Sequence, residues 1–155
     1  MKKYLLSLVL ILSLTGCATV PEAPEESVSL YYYNADQDKD AEGNILCSEQ
    51  GLVAVERPMP SEPVIENTLQ MLLAGDLTEE EKAAGISTEY PLEGLKLTGV
   101  NLVDGLLTLN FDDPNNKTSG GSCRVSILWK QIEKTAQQFS EVEEVRFSPE
   151  WLFQP

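Results

Sequence analysis

Histidine is absent from this chain of 155 residues, and cysteine occurs only three times. Without histidine, the sequence cannot build a Ser-His-Asp triad or a Cys-His pair. Cationic side chains are also scarce, because 11 Lys and Arg stand against 25 Asp and Glu and give a net charge of −14. Phosphate recognition requires Lys and Arg, so this composition excludes binding to the nucleic-acid backbone. The same charge predicts repulsion from anionic lipid headgroups.

The chain opens on an apolar run that is too short for a transmembrane helix of ~20 residues. Lys2 and Lys3 precede this run, which extends from Tyr4 to about Leu12. The following Leu14-Thr15-Gly16-Cys17 resembles the lipobox, in which the cysteine becomes the acylated first residue of a bacterial lipoprotein. We therefore predict a signal peptide over 1–16 and lipidation at Cys17. The alternative is an ordinary cleaved signal peptide followed by an incidental cysteine.

A lipobox places the mature chain outside the cytoplasm, anchored by its lipid to the outer or the cytoplasmic membrane surface. Removing residues 1–16 takes away two of the 11 basic residues and changes the net charge from −14 to −16. Residues 17–27 are rich in Pro and Glu and predict a flexible tether next to the lipid. We expect a single domain over 28–155.

Two cysteines, Cys47 and Cys123, remain if Cys17 is lipidated. An oxidising compartment favours a disulfide between them. The alternative is a pair of free or metal-binding thiols, but the chain contains neither histidine nor a Cys-x-x-Cys motif to complete a zinc site. We predict the disulfide.

An acidic segment after the first predicted strand resembles a calcium-binding loop. Asp38, Asp40, Glu42 and Glu49 occupy positions 1, 3, 5 and 12 of the pattern, and Gly43 occupies position 6. Against calcium, Glu42 is longer than the usual ligand at its position, and the flanking segments read as strands. The alternative is a solvated polar loop, and no other cofactor is predicted.

Hydrophobic periodicity predicts an α+β fold, in which helices pack on one face of a small mixed sheet. The predicted order is β-β-α-(α)-β-β-α-β. Asp104-Gly105 lies between two apolar segments and predicts a hairpin. Ser61 is the expected N-cap of the first helix, and Gly75 is its stop. The predicted strands cover 28–33, 52–56, 95–102, 106–111 and 142–148, and the helices cover 61–75, 78–85 and 121–139.

Several short motifs, each present once, follow one another in a characteristic order: Leu72-Leu73-Ala74-Gly75, Gly85-Ile86-Ser87-Thr88, Pro91-Leu92-Glu93-Gly94, Leu107–Asp112, Gln131–Phe139 and Val142–Phe147. Together they resemble the GerMN domain, which is named after sporulation and spore-germination lipoproteins. The resemblance covers about Val28 to Pro155, although the sporulation lipoprotein has two such domains in tandem. It implies a fold similar to the ring-building modules of secretion systems, and a binding or assembly role rather than catalysis.

Three sets of residues are candidates for function. Asp112 and Asp113 form the best acid–base pair, but neighbouring strand residues point to opposite faces, so a solvated strand end is the alternative. Tyr31 and Tyr33 would form a partner surface if exposed, and belong to the core if helices cover them. Trp151, in the apolar Trp151-Leu152-Phe153 tail, is either docked on its own domain or an interaction surface.

These observations predict a lipid-anchored, extracytoplasmic module that binds an envelope protein or associates with itself. The second hypothesis is a lipoprotein that binds a small ligand, either calcium or wall polysaccharide. A hydrolase that uses Asp112 or Asp113 is the third, and we expect no enzyme activity.

Overall fold

A computed structural model describes residues 26–154 of the chain. The predicted order of elements is confirmed, and two short 3-10 helices lie between the first two strands. The strands are β1 (Ser27–Tyr33), β2 (Leu52–Pro58), β3 (Lys96–Val103), β4 (Leu106–Asp112) and β5 (Glu144–Ser148). The helices are α1 (Val64–Ala74), α2 (Glu79–Ala83) and α3 (Ser122–Ala136), with 3-10 turns at Ala35–Gln37 and Glu49–Gly51.

The fold is α+β as predicted, but the described strands form two sheets instead of one. Strands β1 and β2 form an antiparallel pair. The second sheet has the order β3-β4-β5, in which β3 and β4 are antiparallel and β5 runs parallel to β4. This parallel pairing requires a crossover, which α3 provides between β4 and β5.

The edge of β1 that does not pair with β2 is occupied by other parts of the fold, which explains why the two sheets stay separate. The backbone N–H of Ser29 donates to the side chain of Gln138, and the N–H of Tyr31 donates to the Thr135 hydroxyl. At the end of the strand, Tyr33 exchanges backbone hydrogen bonds with Ser87. Helix α3 and its C-terminal extension thus occupy the edge where a third strand would pair, because each backbone donor already has a partner.

The hairpin between β3 and β4 has the predicted turn. Asp104 and Gly105 both have positive φ angles, 48° and 82°, as the two-residue hairpin turns that match strand twist require. Leu107, Leu109 and Phe111 on β4 are buried. Thr108 and Asn110 alternate with them and are only partly buried, so this sheet has one core face and one polar face.

The start of α1 differs from the prediction, because Ser61 is not its N-cap. The helix begins at Val64, and Pro63 precedes it without a capping side chain. Instead, the Glu62 carboxylate accepts a hydrogen bond from the Val64 N–H at 3.2 Å. The predicted stop is confirmed, since Gly75 ends α1 in the left-handed conformation, and Thr78 opens α2 with a capping box.

A single hydrophobic core joins both sheets to α1 and α3. Helix α3 contributes a stripe of Val125, Leu128, Ile132 and Thr135, all of them buried. It ends at Ala136, three residues before the predicted Phe139. The largest fully buried side chains come from every layer of the fold: Tyr32, Phe153, Leu30, Leu69, Leu72, Leu107, Leu109, Leu128, Ile132 and Leu152.

Candidate functional site

The lipidation site Cys17, the signal peptide over 1–16 and nearly all of the tether over 17–27 lie outside the described residues. They therefore stay predictions. Among residues 26–154, no helix is both long and apolar enough to cross a membrane.

The predicted disulfide between Cys47 and Cys123 is present. The Cα atoms of the two residues are 5.3 Å apart, within the range that disulfides require. Cys47 lies in the acidic loop, residues 38–49, and Cys123 lies in the first turn of α3. The bond therefore fastens this loop to the N-terminal end of the helix.

The first predicted calcium ligand, Asp38, is a buried structural group. Its carboxylate accepts hydrogen bonds from the Tyr33 hydroxyl at 2.5 Å, from the Ser48 N–H at 2.7 Å and from the Ser48 hydroxyl. Burial opposes the charge, but these hydrogen bonds hold the pKa of Asp38 below its ordinary value. Both carboxylate oxygens are engaged in shaping the loop.

The other three carboxylates of the predicted calcium loop do not join Asp38 in one site. Asp40 accepts hydrogen bonds from Asn44 and from the Glu42 N–H within its own turn, and Glu49 pairs with Lys130 on α3 at 3.3 Å. No group of three or more His, Cys, Asp or Glu side chains in 26–154 is arranged to hold a metal ion. The loop is instead ordered by its own hydrogen bonds.

The Asp112 and Asp113 pair is separated by burial. Asp112 is exposed, whereas Asp113 is buried and accepts hydrogen bonds from the Lys117 N–H, the Thr118 N–H and the Thr118 hydroxyl at 2.8–2.9 Å. Burial is outweighed by these donors, which lower the pKa of Asp113. The hydrogen bonds of Asp113 thus order the turn after β4. The carboxylates of Asp112 and Asp113 lie in different environments and do not form an acid–base pair.

Of the two readings of Tyr31 and Tyr33, a partner surface or the core, the partner surface is wrong for Tyr33. Tyr33 is buried and donates its hydroxyl proton to Asp38, so it is part of the interior and not of a partner surface. Burial and the neighbouring carboxylate raise its pKa. Tyr31 on the same face is partly buried. The end of this face is covered because the acidic loop folds over Tyr33.

Trp151 is the predicted surface residue that the structure leaves accessible. It is 52% exposed, while its neighbours Leu152 and Phe153 are buried in the core. The terminal segment is thus docked on its own domain and holds one indole at the surface. Trp129 on α3 is 37% exposed, and its ring lies edge-on to Phe147 of β5 with centroids 5.9 Å apart.

The Trp129 ring contacts Phe147 of β5, and Trp151 follows the end of β5 by three residues. We call Trp129, Trp151 and β5 together the tryptophan surface. It contains a depression of about 280 Å³ whose lining includes Trp129, Arg146, Phe147 and Glu150. Strand β5 is the last strand of its sheet and, within 26–154, pairs with β4 alone. The surface therefore combines large apolar rings, both signs of charge and an open strand edge, which are features that suit a contact surface.

Trp129 was not among the residues predicted to form a surface. The signal was nevertheless present in the sequence, since Trp129 follows Leu128 by one residue and therefore lies off the buried stripe of α3. A large ring off the apolar stripe indicates an exposed or edge position.

This architecture is that of a small α+β domain. Two sheets pack around one core, and a disulfide holds a loop against the main helix. The chain belongs to the Germane family, described as sporulation and spore germination, which matches residues 29–150. The predicted relationship to GerMN domains is thereby confirmed. A search of curated proteins found no match.

One solved structure is similar at the level of the fold, and a second is reported beside it. The tandem GerMN domains of the sporulation protein GerM from Bacillus subtilis are 18% identical, with a TM-score of 0.52 over 86% of this chain and 43% of that chain. The first GerMN domain of the same protein is 20% identical, with a TM-score of 0.49 over 77% of this chain and 80% of that one. The chain thus spans less than half of the tandem structure.

Proposed function

We propose that this chain is a lipid-anchored module that binds a protein partner outside the cytoplasm, at the cell envelope. The observation that carries the proposal is the tryptophan surface. Trp129 and Trp151 expose 37% and 52% of their area, and tryptophan is enriched at the energetic centres of protein interfaces. Membership of a sporulation and germination family supports an envelope role in general terms.

The open edge of β5 suggests how a partner would bind. The outer backbone groups of an edge strand are free to pair with an added strand. Val145 and Phe147 of β5 are buried, whereas Glu144 and Arg146 are exposed on the polar face. A partner strand beside β5 would therefore meet alternating charges on one face and Trp129 on the other.

The lipid anchor rests on Leu14-Thr15-Gly16-Cys17. Several buried acyl chains attach a protein to a membrane far more firmly than one, at ~0.8 kcal/mol for each methylene. We expect an alkyne-labelled fatty acid to be incorporated into the full-length chain and to be absent from Cys17→Ser. Label retained in that variant would contradict lipidation at Cys17.

Site-specific crosslinking in cells tests the protein-binding role. A photoreactive amino acid replaces Trp151 in the full-length chain, and a matched chain carries it at Glu80, an exposed position on α2. We expect one or two recurrent envelope proteins, or multimers of this chain, to crosslink at 151 and not at 80. Equal patterns at both positions, or no protein adduct at 151, would rule out this surface.

Wall polysaccharide is a second candidate ligand, favoured by the same exposed rings. Indoles offer large apolar faces with a polar edge, and the depression beside Trp129 is also lined by Glu144, Glu150 and Gln154. Co-sedimentation with purified wall polysaccharide distinguishes this candidate. Sedimentation that is lost in Trp151→Ser would favour the polysaccharide over a protein partner.

A further inference from the structure

A second surface, on a different part of the fold, is apolar at its base and acidic at its rim. It is a groove of about 440 Å³ between the start of α1, the β3–β4 hairpin and the segment that leads from α3 to β5. Its apolar lining includes Val64, Val100, Leu102 and Phe139. Met59, which also lines it, is 38% exposed. We call this surface the acidic groove.

Three carboxylates, those of Glu62, Glu66 and Glu141, line the acidic groove, and its lining includes no Lys or Arg. Each carboxylate accepts a hydrogen bond from a neutral donor of its own segment: the Val64 N–H, the Gln70 side chain and the Ser140 hydroxyl. Neutral donors leave the negative charges without a countercharge.

Most cations of the described chain are paired elsewhere, and the two that form no ion pair, Lys96 and Lys134, do not line the acidic groove. Seven ion pairs join the other cations to carboxylates, and none of these pairs includes Glu62, Glu66 or Glu141. The paired cations are Lys39, Arg57, Lys82, Lys117, Arg124, Lys130 and Arg146. An apolar groove with uncompensated carboxylates is electrostatically complementary to a cationic ligand with an apolar face.

We propose that the acidic groove binds a cationic amphipathic segment of a partner protein. The apolar side chains of that segment cover Val100, Leu102 and Phe139, and its Lys or Arg side chains meet the three rim carboxylates. A second copy of this chain would bring a net charge of −14 against the same sign. An anionic lipid surface would likewise be repelled. This proposal goes beyond the function proposed for the tryptophan surface and does not depend on it.

Two synthetic helical peptides test the charge preference on the full-length chain in detergent. Both carry leucine along one face, and the flanks carry lysine in one peptide and glutamate in the other. We expect the lysine-flanked peptide alone to bind at concentrations up to about 100 μM in low salt, and raised salt to weaken it. Equal binding of both peptides, or no binding of the lysine-flanked one, would overturn the proposal.

A triple variant, Glu62→Gln with Glu66→Gln and Glu141→Gln, tests the location. Glutamine keeps an acceptor oxygen for the Val64 N–H, so the start of α1 stays capped. We expect the affinity for the lysine-flanked peptide to fall about tenfold, because three rim charges are lost.

The matched control replaces three exposed glutamates outside the groove that form no ion pair in the described chain: Glu42, Glu80 and Glu143. It removes the same net charge, and we expect it to bind the peptide within about twofold of the unmodified chain. An equal loss in both variants would assign the effect to overall charge and overturn the proposal. Trp151→Ser is expected to bind this peptide normally, which separates the outcome from that of the tryptophan surface.

Discussion

At the residue scale, neighbouring side chains of the same type have different roles because burial and hydrogen bonding separate them. Asp113 lies inside the turn after β4 and accepts three hydrogen bonds from Lys117 and Thr118. Asp112, one residue earlier, is exposed. The chemistry of the pair is therefore decided by the turn and not by the residue type.

Asp113→Asn is expected to destabilise the protein by about 1–3 kcal/mol, because the amide places a donor against donors and removes the charge that they solvate. Asp112→Asn, the matched control, is expected to stay within about 0.5 kcal/mol of the unmodified protein. Urea denaturation measures both free energies of unfolding. Similar values for the two variants would contradict the structural role of Asp113.

The same hydrogen bonds predict how stability depends on pH. The pKa values of Asp38 and Asp113 are lower in the folded protein than their ordinary values, because the hydrogen bonds to each carboxylate outweigh burial. Their contribution to stability is complete above the unfolded pKa of ~3.9 and is lost as the pH falls from there through the folded pKa values. We expect the midpoint of thermal unfolding to fall below about pH 4, and less steeply in Asp113→Asn. An identical acid limb in that variant would disagree with this account.

Calcium is expected to leave the stability unchanged. Asp38 is buried and already accepts hydrogen bonds from Tyr33 and Ser48, so binding a cation there would break them. The measurement is thermal unfolding with and without calcium at about 10 mM, which is about tenfold above the weakest dissociation constant of extracellular calcium modules. A rise in the midpoint that disappears in Asp40→Asn would show that the loop binds the ion after all.

At the scale of elements, the β3–β4 turn also positions the start of β5. The carbonyl oxygen of Gly105 accepts hydrogen bonds from the N–H groups of Glu143 and Glu144. A Cβ atom at Gly105 would lie 2.9 Å from the Glu143 side chain. The turn is therefore linked to the tryptophan surface through the first residue of β5.

Gly105→Ala is expected to cost about 1–2 kcal/mol, since alanine at a φ of 82° enters the left-handed region. Asp104→Asn is the control, because asparagine tolerates the same conformation and should change the free energy of unfolding little. Thermal unfolding compares the two. If Gly105→Ala lowered the unfolding midpoint no more than Asp104→Asn does, the positive φ angle of Gly105 would not require glycine.

At the scale of the whole molecule, the disulfide joins parts of the chain that are 76 residues apart in sequence. It holds the acidic loop against the N-terminal end of α3, while the Glu49–Lys130 ion pair joins the same loop region to the middle of the helix. The loop that shields Tyr33 is thus fixed at two points.

Replacing both cysteines, as Cys47→Ser with Cys123→Ser, is expected to reduce the free energy of unfolding by up to ~4–5 kcal/mol, since a long closed loop in the unfolded chain gains entropy when it opens. Guanidinium denaturation measures the loss, and a reducing agent should produce a similar loss in the unmodified protein. Cys17→Ser controls for the third cysteine and should not change the midpoint. A double variant as stable as the unmodified protein would contradict this contribution.

Much of the fold could be predicted because its signals are local. The alternating pattern of Leu107, Leu109 and Phe111 fixed a strand with one buried face, and Asp104-Gly105 predicted the hairpin turn that is present. The prediction of Ser61 as the N-cap of α1 was wrong, because the Glu62 carboxylate is one residue nearer to the helix and accepts the hydrogen bond instead. Sequence patterns rank capping residues but cannot compare the geometry of two neighbouring candidates.

The candidate surfaces were less predictable, because exposure depends on what packs over a residue. Tyr33 and Trp151 had the same ambiguity in the sequence. The acidic loop then covered Tyr33, whereas docking of Leu152 and Phe153 left Trp151 at the surface. The acidic groove was not predicted at all, since Glu62, Glu66 and Glu141 come from two separate segments.

The sequence by itself determined the order of the elements, the β3–β4 turn and the family resemblance, because periodicity, turn residues and motif order are properties of short stretches of chain. The tertiary structure alone decided that the strands form two sheets and that Glu62, Glu66 and Glu141 line one groove. Thr135 and Gln138 occupy the edge of β1 only once α3 has packed there. Such contacts join residues far apart in sequence, so their geometry follows from packing and not from local preference.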